Sequence, residues 1–119
     1  MLQLGSAERI VIVHRPVDFR NRVEGLSGIC RRELGLDPMS GRLFVFRCRS
    51  LRVVRVLGYN TVGFFLYEAH MAQGRFPWWP EGSEPPLSPL AARELLVLLC
   101  GGDPTKARFA LEWKRVSDD

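Results

Sequence analysis

Residues 41–49 read Gly-Arg-Leu-Phe-Val-Phe-Arg-Cys-Arg, "GRLFVFRCR". A strand with one wet face alternates apolar and polar residues. Here Leu43 to Phe46 are apolar without a break, bounded by Arg42 and Arg47, with Arg49 following. Such a run predicts a strand, 42–48, that is buried on both faces. Whether its arginines only fence the strand ends or reach out to a partner is the question it poses.

The segments around it place it in a sheet. "RVVRVLGY", 52–59, is a second strand, close enough for a hairpin through "RSL". "GFFLYEAH", 63–70, is a third. Upstream, the β-branched "RIVIVH", 9–14, is a short buried strand. Asp18 is placed to cap a helix from about Phe19 to Leu34, with Val23, Leu26, Ile29, Cys30 and Leu34 on its inner face. Gly35 and the pair Asp37-Pro38 stop that helix, and "DPMSG" through Gly41 is turn chemistry. Downstream, "RFPWWP" carries too many prolines for a central strand, and "PEGSEPP" is a surface loop. Ser88-Pro89 predicts the start of a second helix through the apolar "LLVLLC", ended by Gly101-Gly102. In the tail, Phe109, Leu111 and Trp113 alternate like a strand, while Phe109, Trp113 and Val116 fit a helix, which is the preferred reading.

The order predicts an α+β fold: a small antiparallel sheet with an N-terminal strand–helix unit and a buried C-terminal helix. One domain spans 1–102, with 103–119 as an extension.

Composition fits an ordinary soluble domain, with 46% hydrophobic and 25% charged residues in 119. The net charge of +4 is unevenly spread. Residues 9–55 hold eleven arginines against Asp18, Glu24, Glu33 and Asp37, while residues 56–119 are slightly acidic. Fifteen of the seventeen cations are arginine, the residue suited to bidentate contact with phosphate. An Arg-rich half is the footprint of an anionic partner; charged strand ends that keep a sheet soluble and discourage edge pairing are the competing explanation. Cys30, Cys48 and Cys100 form no CxxC pair and, with only His14 and His70, no metal-ligand cluster, so no metal and no cofactor is expected. Free thiols and the lack of a signal peptide or membrane-length apolar run point to the cytoplasm. No nucleophile–base signature or phosphate loop occurs, which favours a non-enzyme.

Two groups of residues remain for binding. Arg47, Arg49, Arg52 and Arg55 gather on the hairpin, with Arg20 and Arg75 in support, as candidates for phosphate contacts. Phe76, Trp78 and Trp79 are candidates for a partner surface, where exposed tryptophans stack on bases or anchor an interface, although burial of at least one of the two tryptophans, plugging the sheet, is the favoured reading.

Taken together, these segments resemble the TnpB accessory proteins of bacterial insertion sequences of family sixty-six, which are unrelated to the RNA-guided nucleases of the same name. The resemblance covers about residues 8 to 102. Asp18 and Arg20 match a block approximating T-D-M-R-K-G. Asp37, Pro38, Ser40, Gly41, Leu43 to Arg47 and Arg49 match D-P-F-S-G-x-L-F-V-F-R-N-R. Gly74, Arg75, Phe76 and Trp78 match G-R-F-x-W-P. The chain departs from the pattern at Val17, Asn21, Arg22, Cys48, Asn60 and the "EAHM" of 68–71. The resemblance implies a non-catalytic helper of DNA transposition, whose partners are the transposase of the same element and DNA. A protein-interaction module that binds no nucleic acid, and is no longer active in transposition, is the alternative.

Overall fold

The computed structural model describes residues 9–82 and 84–106. The predicted tail helix therefore lies outside the described residues. Five strands form one sheet: β1 (Ile10–Val13), β2 (Leu43–Arg47), β3 (Val53–Tyr59), β4 (Phe64–His70) and β5 (Leu87–Leu90), in the spatial order β4-β3-β2-β1-β5. The fold is α+β, as the sequence order predicts. Three of the four pairings are antiparallel; β1 and β2 run parallel, with Ile10 beside Leu43 and Ile12 beside Val45. A parallel pair needs a long crossover, and residues 14–42 supply it.

That crossover holds α1 (Val23–Ile29), which runs on into a π-helical turn, Cys30–Leu34. Gly35 ends it at φ 67°, with its own N–H and that of Leu36 donating to the Cys30 carbonyl. The regular α-helix is shorter than expected because residues 19–22 are engaged elsewhere. Asp18 does not cap it. Its carboxylate accepts from the Arg20 backbone N–H at 2.9 Å and from the Arg20 guanidinium. Arg22 takes the cap position with no side-chain bond.

The Ser88-Pro89 expectation is overturned. Both residues lie in β5, paired antiparallel with β1, and Ser88 Oγ bonds His14 Nε2. Pro89 is tolerated because β5 is an edge strand, where a missing N–H leaves no ladder partner stranded. Helix α2 (Ala92–Leu99) starts later, and the Glu94 carboxylate accepts from the Ala91 N–H at 2.8 Å.

The sheet is covered on both sides. Phe44, Phe46 and Leu57 pack with Leu26, Ile29 and Cys30 of the crossover. Leu43, Val45, Val54 and Val56 pack on the opposite face with Phe76, Trp79, Leu95 and Leu98. This double cover explains the unbroken apolar run of β2, whose first four residues are all buried. At Gly58, on β3, the Phe65 ring closes over the backbone, and an added Cβ would run into that ring and sit 2.8 Å from Leu43 Cδ2. Gly58→Val should therefore destabilise the fold by about 3 kcal/mol or more through overpacking, read as a lowered urea midpoint with unchanged m-value.

Candidate functional site

Alternation decides which hairpin arginines can meet. Arg47 follows Leu43 and Val45 on the face covered by Phe76 and Trp79. In the β2–β3 register, Phe46 lies beside Arg55 and Arg47 beside Val54. Arg55 therefore projects to the opposite face, under the crossover.

There it is consumed by the fold. Arg55 is buried, with 6% of its surface exposed. Its Nε pairs with Glu68, directly opposite on β4. Its Nη1 donates to the carbonyls of Phe19 and Asn21 at 3.0 and 2.8 Å, and the guanidinium stacks 4.4 Å from the Phe19 ring centroid. The expectation that Arg55 contacts phosphate is corrected: this side chain ties β3 and β4 to the start of the crossover. Phe76 and Trp79 are likewise corrected as partner-binding residues, because both are buried in the core. Trp79 Nε1 donates to the Val13 carbonyl at 2.9 Å, which fixes the ring as a plug against β1.

The remaining candidates separate in space. Arg47, Arg49, Arg75 and Trp78 line one groove of about 770 Å³, together with His14, Arg15, Leu51 and Glu81. Arg52 is exposed outside it, and Arg20 stays on the surface, bound to Asp18. Asp37, Pro38 and Gly41 shape the turn into β2: Asp37 accepts from the Met39 N–H, Pro38 is buried, and Gly41 takes φ 89°.

The groove opens at the carboxyl ends of the parallel pair β1 and β2, the position where parallel sheets commonly present their sites. His14 and Arg15 follow β1 as Arg47 closes β2. Arg15 escaped the sequence reading because it joins the site only through the parallel adjacency of the two strands, which an expectation of a purely antiparallel sheet hides. Backbone bonds fix the walls. Val17 N–H donates to the Arg47 carbonyl at 3.0 Å, and Phe76 N–H to the Leu51 carbonyl at 2.8 Å. Leu51 turns the hairpin with φ 59°, a left-handed conformation costly for a branched residue.

The groove's cations are weakly compensated. Arg15 pairs with Glu33, and Glu81 places one carboxylate on the rim. Arg47, Arg49 and Arg75 have no carboxylate partner among the described residues. Burial is the largest influence on Arg47 and pushes its pKa down; the Cys48 sulfur opposes this, while the charges of Arg49 and Arg75 add to the lowering. Arg47 Nη1 donates to the Arg49 carbonyl at 3.3 Å, and its buried Nε has no hydrogen-bond partner among the described residues. A crowded set of guanidiniums held this way attracts an anion.

Two carboxylates show how the other charges are settled. Arg20 beside it lowers the Asp18 pKa to about 2 through side-chain and backbone hydrogen bonds. Glu68 is also held below its usual range, first by its bond to His70, against the opposing effect of burial, and then by Arg55. Among the described residues no group of three or more His, Cys, Asp or Glu is placed to hold a metal ion. No helix among them is long and apolar enough to cross a membrane.

Comparison with known proteins now decides the lineage. The family model described as "IS66 Orf2 like protein" matches residues 8–109. The chain belongs to this family. It is 34% identical over 104 residues to the uncharacterized protein y4hO of Sinorhizobium fredii, covering 87% of this chain and 88% of that one. It is 30% identical over 101 residues to y4jC of the same organism, covering 84% of each. No solved structure matches it. Membership makes this an accessory protein associated with transposition.

Two outcomes follow from the geometry. Because its folded pKa lies below its unfolded value, Glu68 contributes stability that is complete above about pH 4.3 and is lost as pH falls through the lower folded value. Glu68→Gln should cost about 1–2 kcal/mol near neutral pH, since the buried Arg55 loses its charge partner while Glu68 itself is partly exposed. The gap between variant and parent should close in acid, as measured by denaturation across pH. The cysteines give the second outcome. Burial pushes the Cys30 thiol up to about 12. Burial also raises Cys48, but the Ser50 hydroxyl and the backbone N–H groups around it outweigh that and lower its pKa. Iodoacetamide at pH 7.5 should alkylate Cys48 well before Cys30, which should react only on unfolding, as peptide mass mapping will show.

Proposed function

We propose that this protein serves transposition as a non-catalytic helper that binds DNA through phosphates held in the groove at the ends of β1 and β2. The observation that carries this reading is the convergence of Arg47, Arg49 and Arg75 on one groove without carboxylate partners among the described residues. Guanidiniums that merely fence strand ends would scatter into solvent or pair with neighbouring acids, as Arg20 does with Asp18. The family's association with insertion sequences supplies the anion: DNA, with the transposase of the same element as the machinery being helped. A reading as a pure protein-interaction module has less support, because two of its three aromatic anchors, Phe76 and Trp79, are core residues.

The test is a salt titration of binding to DNA from the ends of the element, offered both as duplex and as separated strands. Three phosphate contacts give a slope of log K against log salt of about −2 to −3. The double variant Arg47→Ala, Arg49→Ala should flatten that slope by roughly two contacts' worth. Binding indifferent to salt and to this variant would remove the phosphate role.

A further inference from the structure

We propose that the groove takes an unpaired stretch of DNA, with one base lying against the Trp78 indole and the adjoining phosphates on Arg47, Arg49 and Arg75. This rests on the phosphate-binding reading above and narrows its substrate to single-stranded DNA.

Three observations lead here. The two adjacent tryptophans divide their work. Trp79 is buried with its N–H satisfied by Val13, whereas Trp78 is half-buried, lines the groove and has no hydrogen-bond partner for its indole N–H among the described residues. Pro77 and Pro80 bracket the pair, and their fixed φ limits the backbone that carries the ring. An indole held in place beside guanidiniums is the pairing that single-stranded nucleic acid uses, with the base on the aromatic face and the backbone on the cations.

The shape agrees with this. The arginines line an open, shallow concavity of about 770 Å³. A duplex keeps its bases stacked inside a stiff rod, so it can lay phosphates along the rim but cannot bring a base face to the wall. An unpaired strand can do both. The polar chemistry agrees as well: Arg47 carries a buried Nε without a partner, next to the Arg49 and Arg75 charges. A phosphate in the groove would relieve that repulsion.

Equal-length DNAs decide the matter: an intact single strand, the same strand with abasic sites, and its duplex, with an RNA strand of the same sequence alongside. The parent protein should hold the intact strand at least tenfold tighter than the duplex or the abasic strand. Trp78→Ala should weaken intact-strand binding by roughly five- to a hundredfold while leaving abasic-strand binding and the salt slope unchanged. Trp78→Phe, which keeps an aromatic face, should retain most of the affinity. Equal or tighter binding of the duplex overturns the inference, and so does an abasic strand held as tightly as the intact one. Preference for the RNA strand would reassign the groove to RNA. If Trp78→Ala lost every DNA equally, the ring would be structural. In these cases salt-dependent, Arg47- and Arg49-dependent binding of DNA would still stand as the broader reading; if no form of DNA bound, both would fall.

Discussion

The burial of β2 on both faces is the constraint from which the rest of this structure follows. Its four leading residues are almost fully withdrawn from water, and one layer cannot achieve that. Phe44 and Phe46 need the crossover helix, while Leu43 and Val45 need Phe76, Trp79 and α2. The first requirement is met by β1 pairing parallel to β2, since only a parallel neighbour obliges the chain to cross the sheet between them. The second recruits the proline-rich segment after β4 to the other face. The groove is what remains where these covers end: β2 leaves the core at Arg47, so the first side chain past the hydrophobic layer on the Trp79 face is a guanidinium.

The same alternation gives two arginines of one hairpin opposite fates. Arg55 sits one face away from Arg47 and meets Glu68, two backbone carbonyls and an aromatic ring. A buried charge is tolerable when its donors are filled and a counter-charge stands beside it. Arg47 is partly buried without either compensation, and its neighbours repel it. The fold thus uses one arginine as a clasp and leaves the other electrostatically unfinished. Residue type alone cannot separate these roles. Parity along the strand and the identity of the opposed residue do.

Parity was legible in the sequence, as were β2, β3, β4 and the punctuation at Gly35 and Asp37-Pro38. What was not legible depended on which partner each residue takes in the fold. Asp18 has the composition of a helix cap, but Arg20, two residues on, offers it a bidentate guanidinium. Arg55 then holds the carbonyls of Phe19 and Asn21, which keeps that stretch out of the helix. Ser88-Pro89 is a sound local helix start, overridden because β1 has a free edge that β5 completes and His14 bonds Ser88. The parallel pairing itself has no local signature, and with it went Arg15. On the site, the pair Trp78-Trp79 favoured burial of at least one ring, but only the Val13 carbonyl says which.

The groove is also assembled before anything enters it. The hairpin is joined to the aromatic segment by the bond from the Phe76 N–H to the Leu51 carbonyl, the loop after Arg15 to β2 by the bond from the Val17 N–H to the Arg47 carbonyl, and Trp79 to β1 by its indole bond to the Val13 carbonyl. Leu51 is kept in a left-handed conformation within that frame. Binding costs affinity mainly where side chains and loops must be ordered on contact. Here folding has already ordered that backbone, so an anion entering the groove would need to settle only the arginine side chains. Two main-chain bonds and one indole bond thus set the backbone from which Arg47, Arg49 and Arg75 project, whereas arginines serving only solubility would need no such frame.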